Sequence, residues 1–73
     1  MFEEIKEIIA NQFKLDPATL SRETNILTDI GADSLDLVDL LMKLEEKYGV
    51  TIKDSELEKL KTVGDIEDYF QKN

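Results

Sequence analysis

The chain has 73 residues, no cysteine and no histidine, and its 17 acidic against 9 basic residues give a net charge of −8. That charge repels phosphate backbones and anionic lipid surfaces and attracts basic protein patches, which sets nucleic acid and membranes aside as partners. Without cysteine there is no disulfide framework, no thiolate zinc site and no thiol of the chain's own.

The length suits one domain over residues 1–73 with a small core, and at roughly 60% of surface buried on folding its stability is modest. The opening "MFEEIKEIIANQF" carries acids where a signal or transit peptide carries bases, and no apolar run approaches the roughly 20 residues that span a bilayer. A cytoplasmic monomer is the expectation.

Phe2, Ile5, Ile8, Ile9 and Phe13 recur at helical spacing behind Glu3, Glu4 and Glu7, which predicts a first helix over about residues 2–15. Asp16 is placed to cap and Pro17 suits a first helical position, so a short turn follows. Residues 21–33 have no sustained period, yet Ile26, Leu27 and Ile30 predict a long loop pinned to the core. After Gly31, Asp33 caps a second helix with Asp36 three residues on; it runs to Tyr48, where Gly49 stops it. "VTI" at 50–52 is too short for a sheet and reads as a connector whose Ile52 enters the core. Residues 54–61 predict a short helix carrying Leu57 and Leu60. A last helix starts from Thr62, capped with Asp65, and turns Val63, Ile66, Tyr69 and Phe70 inward. The predicted fold is all-α: a small four-helix bundle of three longer helices and one short one, with a long loop between helices I and II.

On the second helix, Leu37, Leu40, Leu41, Leu44 and Tyr48 share one arc, the ordinary core stripe. Leu35, Val38 and Met42 gather on another side with Asp39, Glu45 and Glu46 around them. One reading is that Val38 and Leu35 flank the core while Met42 is incidental, since single exposed apolar residues are common. The other is a docking strip, apolar at its centre and acidic at its edge, that steers a basic partner into register.

Ser34 stands at the start of that helix. Serine is frequent at helix starts for local reasons alone. As a nucleophile it has no histidine, and Asp33 is too weak a base to activate an alcohol near neutral pH, so the chain is not expected to be an enzyme. A hydroxyl modified by another enzyme fits better, because a phosphate ester there meets free backbone N–H groups and the positive end of the helix dipole. Asp29, Asp33, Asp36 and Asp39 are closely spaced, but a calcium loop starting at Asp29 needs glycine sixth and glutamate twelfth, where Ser34 and Leu40 stand; no metal site is expected.

"DIGADSLDLVDLLMKLEEKYG", supported by "KTVGDIEDYF", resembles the acyl carrier proteins, in particular the discrete bacterial type of fatty acid synthesis, and the likeness covers nearly the whole chain. The resemblance implies a 4'-phosphopantetheine arm on Ser34, transferred from coenzyme A by a magnesium-dependent phosphopantetheinyl transferase that Asp33 assists by helping to hold the metal ion. It implies that growing acyl chains ride the arm as thioesters between fatty acid synthase enzymes and acyltransferases, which dock through basic patches on Leu35, Asp36, Val38, Asp39, Met42, Glu45 and Glu46. It further implies an acyl cavity, with Ile26, Val38, Leu41, Ile52, Leu57 and Leu60 as candidate lining; Leu57 is larger than its counterpart in many relatives, which bears on the depth. A carrier for polyketide or other specialised acyl metabolism shares these features. From a different class, an unmodified acidic helical adaptor would leave Ser34 silent.

Overall fold

Helix α1, Phe2–Phe13, buries Ile5, Ile9 and Ala10 and ends two residues short of the predicted boundary. Lys14 turns left-handed at φ 58°, and the N–H groups of Lys14 and Leu15 both reach back to the Ala10 carbonyl. That closure satisfies a terminal carbonyl and turns the chain off the helix axis. Leu15, inside the predicted span, lies exposed beyond the turn.

The computed structural model describes residues 1–72; Asn73 of the expected 1–73 unit lies outside the described residues. A single 3-10 turn, Pro17–Thr19, follows α1, with the Asp16 carboxylate accepting from the Ala18 N–H at 2.9 Å. Helix α2, Ser34–Tyr48, then buries Leu37, Leu40, Leu41 and Leu44. Both ends of α2 fall where the sequence puts them. The capping box is complete, with the Asp33 carboxylate accepting from the Asp36 N–H at 3.0 Å and the Asp36 carboxylate from the Asp33 N–H at 3.3 Å. Gly49 closes the other end at φ 67°, a conformation that glycine reaches without strain.

Helix α3, Asp54–Leu57, is half the predicted length. Its continuation over residues 58–60 tightens into three-residue turns, Lys59 N–H to Glu56 C=O at 3.0 Å and Leu60 N–H to Leu57 C=O at 3.2 Å, and no side chain caps its start. Helix α4, Val63–Lys72, buries Val63, Ile66 and Phe70. Tyr69, expected to face inward, is half-buried, and its hydroxyl donates to the Thr51 carbonyl at 3.3 Å. Among the described residues there is no strand, only an isolated bridge between Asn25 and Thr62. The all-α architecture of three longer helices and one short one is as predicted.

The long loop between α1 and α2 is fixed along its length. Asn25 folds it locally, its side-chain oxygen accepting the N–H groups of Leu27 and Thr28 at 2.9 and 3.0 Å. Three backbone bonds then tie it to the α3–α4 segment: Ile26 N–H to Lys61 C=O at 2.8 Å, Val63 N–H to Thr24 C=O at 3.0 Å, and Gly64 N–H to Arg22 C=O at 2.9 Å. Arg22 adds a side-chain latch, pairing with Glu67 and, through Nη2, with Asp68 at 2.9 Å. Hydrogen bonding to Asp68, with the charges of both carboxylates, raises the guanidinium's pKa further, against the opposing effect of burial. Glu67 is the buried charged residue of the molecule's described part, and Arg22 is what makes its burial tolerable. At the other end of the bundle Tyr48 donates to Glu4 at 3.1 Å. Burial first, then that carboxylate, pushes the phenol's pKa up to about 12.

Gly64 is the place where the loop and α4 come closest. A Cβ there would lie 3.0 Å from the Arg22 carbonyl oxygen and 3.1 Å from its guanidinium carbon. Alanine would gain up to about 1 kcal/mol of helix propensity, whereas displacing the backbone carbonyl that Gly64 itself binds costs about 1–3 kcal/mol as overpacking. Gly64→Ala is therefore expected to destabilise the fold by roughly 1 kcal/mol in urea unfolding, the balance of those two effects. A stabilised variant would show that the loop yields there freely.

Candidate functional site

Ser34 is the first residue of α2 and is exposed. Because Asp33 performs the cap, the serine hydroxyl has no local duty, and among the described residues no hydrogen bond engages it. It opens onto a cleft of about 310 Å3 lined by Leu27, Ser34, Leu37, Val38, Leu57, Glu58 and Lys61. Three parts of the chain build this cleft: the pinned loop supplies Leu27, α2 supplies Ser34, Leu37 and Val38, and α3 with the turn after it supplies the rest. Apolar side chains make the walls, while Glu58 and Lys61 are the charged residues of the lining.

The candidate acyl-cavity residues divide between the core and this cleft. Val38 and Leu57 reach it, but Ile26, Leu41, Ile52 and Leu60 are sealed in the core. The loop bonds draw residues 24–26 against 61–63, which seats Ile26 and Leu60 deep in the bundle, while Leu41 belongs to the buried stripe of α2. Leu27, Leu37, Glu58 and Lys61 complete the cleft lining with Ser34. Periodicity had nothing to say about Glu58 and Lys61, which follow the end of α3 and are placed by long-range pairing.

The second stripe of α2 is solvent-facing. Leu35 is 80% exposed, Met42 59% and Val38 38%. Asp39 and Glu46 are exposed beside them, Asp39 making only a loose contact with Lys43 at 3.7 Å. Glu45 is different: half-buried, its carboxylate accepts from the Ile52 N–H at 2.5 Å and fixes the connector after α2. Asp36, likewise, has one oxygen in the capping box. Among the residues expected to meet partners, Leu35, Val38, Asp39, Met42 and Glu46 are free of structural duty, and Asp36 and Glu45 also hold the helix and its exit.

Gln12 of α1 supports the site from behind, its amide donating to the Asp36 carbonyl at 3.2 Å in the first turn of α2. Among the described residues no three carboxylates gather to hold a metal ion. Asp29 is occupied in the loop, accepting from the Asn25 N–H at 2.8 Å. No helix among them is long and apolar enough to cross a membrane.

The chain has three serines, and their settings differ. Ser21 is engaged with Thr24, N–H to hydroxyl at 2.9 Å and hydroxyl to hydroxyl at 3.3 Å. Ser55 sits in the four-residue α3. Ser34 alone of the three starts a long helix and borders an apolar cleft.

The family described as "Phosphopantetheine attachment site" matches residues 3–70. The chain is 47% identical over 73 residues to the acyl carrier protein of Helicobacter pylori, covering all of this chain and 94% of that one. It is 44% identical over 73 residues to the acyl carrier protein of Wolinella succinogenes, covering all of this chain and 96% of that one. A solved structure of the acyl carrier protein from Enterococcus faecalis superposes with a TM-score of 0.87 at 32% identity, covering 99% of this chain and 91% of that one.

Proposed function

This chain belongs to the acyl carrier proteins, and from that premise we propose that Ser34 takes the 4'-phosphopantetheine arm and that the loaded protein passes growing acyl chains among the enzymes of fatty acid synthesis. As a member of that family it is a carrier and not an enzyme, and phosphopantetheine is its prosthetic group. The observation that carries the reading is the exposed, unbonded hydroxyl of Ser34 at the mouth of an apolar cleft.

The residues present fit the group. A hydroxyl without intramolecular partners is open to attack on the pyrophosphate of coenzyme A: the Ser34 oxygen forms a new bond to phosphorus, 3',5'-ADP leaves, and the hydroxyl proton goes to solvent or to a base of the transferase. Asp33 keeps one carboxylate oxygen outside its capping bond, which suits the assisting role at the transferase's magnesium ion. When bound, the arm supplies the thiol that holds an acyl group as a thioester. The protein's own part is to keep the helix start rigid through the capping box and Gln12, to offer Leu27, Val38 and Leu57 as an apolar resting place, and to present α2 to partners. Each buried methylene contributes about 0.8 kcal/mol, so a cleft of this kind favours chains long enough to reach it. A single unit over residues 1–73, working as a cytoplasmic monomer, is consistent with that role.

Incubating the protein with coenzyme A, magnesium and a phosphopantetheinyl transferase, followed by intact mass measurement, tests the reading. A gain of one arm is expected, and no gain refutes it.

The strip on α2 is the surface the transferase and synthase enzymes are proposed to read. Asp39→Lys combined with Glu46→Lys is expected to slow association with a basic partner about tenfold at low salt and to flatten its salt dependence. Glu45 is left unchanged because reversing it would also break the bond to Ile52. The pair Glu7→Lys and Glu23→Lys alters net charge equally at sites off the strip, and equal slowing by both pairs would mean that total charge, not this strip, does the steering. The measurement is stopped-flow association across a salt series.

A further inference from the structure

We propose that Lys61 pairs with the phosphodiester of the arm on Ser34 and thereby lays the arm along the apolar cleft instead of letting it sweep through solvent. The inference rests on Ser34 as the attachment point and adds a positioning residue to it. Lys61 and Ser34 line the same cleft, and Lys61 is the one cation on that lining. Its backbone is held from both sides, the N–H donating to Asp65 at 3.3 Å and the C=O accepting from Ile26 at 2.8 Å. The side chain has no carboxylate within ion-pair distance among the described residues, unlike Lys6, Lys43 and Lys59; Lys14, Lys47, Lys53 and Lys72 share that state but not the place on the cleft. In a chain of net charge −8, an unpaired lysine on the cleft that Ser34 borders can meet the anion that arrives with the arm. A phosphodiester keeps one negative charge at all physiological pH values, so the pairing does not switch off. The aliphatic stem of lysine suits an apolar wall while its ammonium stays at the wet rim. Glu58 is the opposing charge on the lining, and it works against the phosphate.

The effect is modest and measurable, because an exposed ion pair shifts a population by roughly two- to fivefold. The experiment uses the arm-loaded protein and nuclear Overhauser contacts from the arm's geminal methyl groups to the methyls of Leu27 and Leu57. Lys61→Gln is expected to weaken those contacts two- to fivefold, Lys61→Arg to retain them, Glu58→Gln to strengthen them, and high salt to bring wild type down to the Lys61→Gln level. Because the structural bonds at residue 61 are main-chain bonds, Lys61→Gln is expected to fold normally, which the amide spectrum of the unloaded protein checks. Loading with contacts unchanged in Lys61→Gln would overturn this proposal alone. Failure of the wild type to gain the arm would overturn the attachment reading and this one with it.

Discussion

Ser34→Ala is expected to leave the protein folded and unable to gain any mass from coenzyme A and transferase. The two halves of that result have separate physical origins. Stability is spared because the cap belongs to Asp33, whose carboxylate takes the Asp36 N–H at 3.0 Å, and because the Ser34 side chain is exposed at the first helical position. Alanine is also the better helix former, so the change in unfolding free energy stays within about 0.5 kcal/mol. Loading is lost completely because the bond to phosphorus needs the serine oxygen. The same mass experiment on Ser21→Ala and Ser55→Ala should show full loading. Melting curves run beside the mass spectra guard against mistaking an unfolded chain for an unreactive one. Residual loading of Ser34→Ala would move the attachment point to one of the other two serines.

How far the site was legible before the structure depended on sequence separation. The boundaries of α2 follow from chemistry within four residues: Asp33 with Asp36 at the start and Gly49 at the stop. The exposed stripe of Leu35, Val38 and Met42 followed from helical spacing alone. Local rules failed where two signals competed. The predicted span of α1 ran to residue 15, past the point where Lys14 turns left-handed, and Leu60 suggested a longer α3 when it reaches the core from a tight turn. What stayed invisible was long-range. Nothing near Arg22 announces that it will meet Glu67 and Asp68, nothing near Gln12 announces the Asp36 carbonyl, and Glu45 looked like a docking acid before Ile52 was seen to bind it. Residues 58 and 61 join the cleft lining through the pairing of the loop with the α3–α4 segment, which no local pattern announces. The helix that begins at Ser34 was readable, and the wall opposite it was not.

That wall makes the largest stability prediction. Ile26 is fully buried on the loop, its N–H bound to Lys61 and its carbonyl accepting the Ala32 N–H at 3.2 Å. Ile26→Ala keeps both backbone bonds and removes only side-chain packing, so the loss is a transfer cost plus a cavity cost of about 2–5 kcal/mol together. A 73-residue chain has roughly 4–11 kcal/mol in all, so this substitution alone takes a large part of it, while Ile26→Val should cost about 0.5–1.5 kcal/mol. Urea unfolding of the two variants measures the series. The functional consequence follows from position: Ile26 precedes Leu27, which lines the cleft, and its carbonyl holds Ala32, two residues before Ser34. Loosening Ile26 should therefore reduce loading at temperatures where α1 and α4 are still helical, because the start of α2 frays before the bundle melts. If loading and global helicity are lost at the same temperature in Ile26→Ala, the loop is part of one cooperative core and has no separate hold on the site.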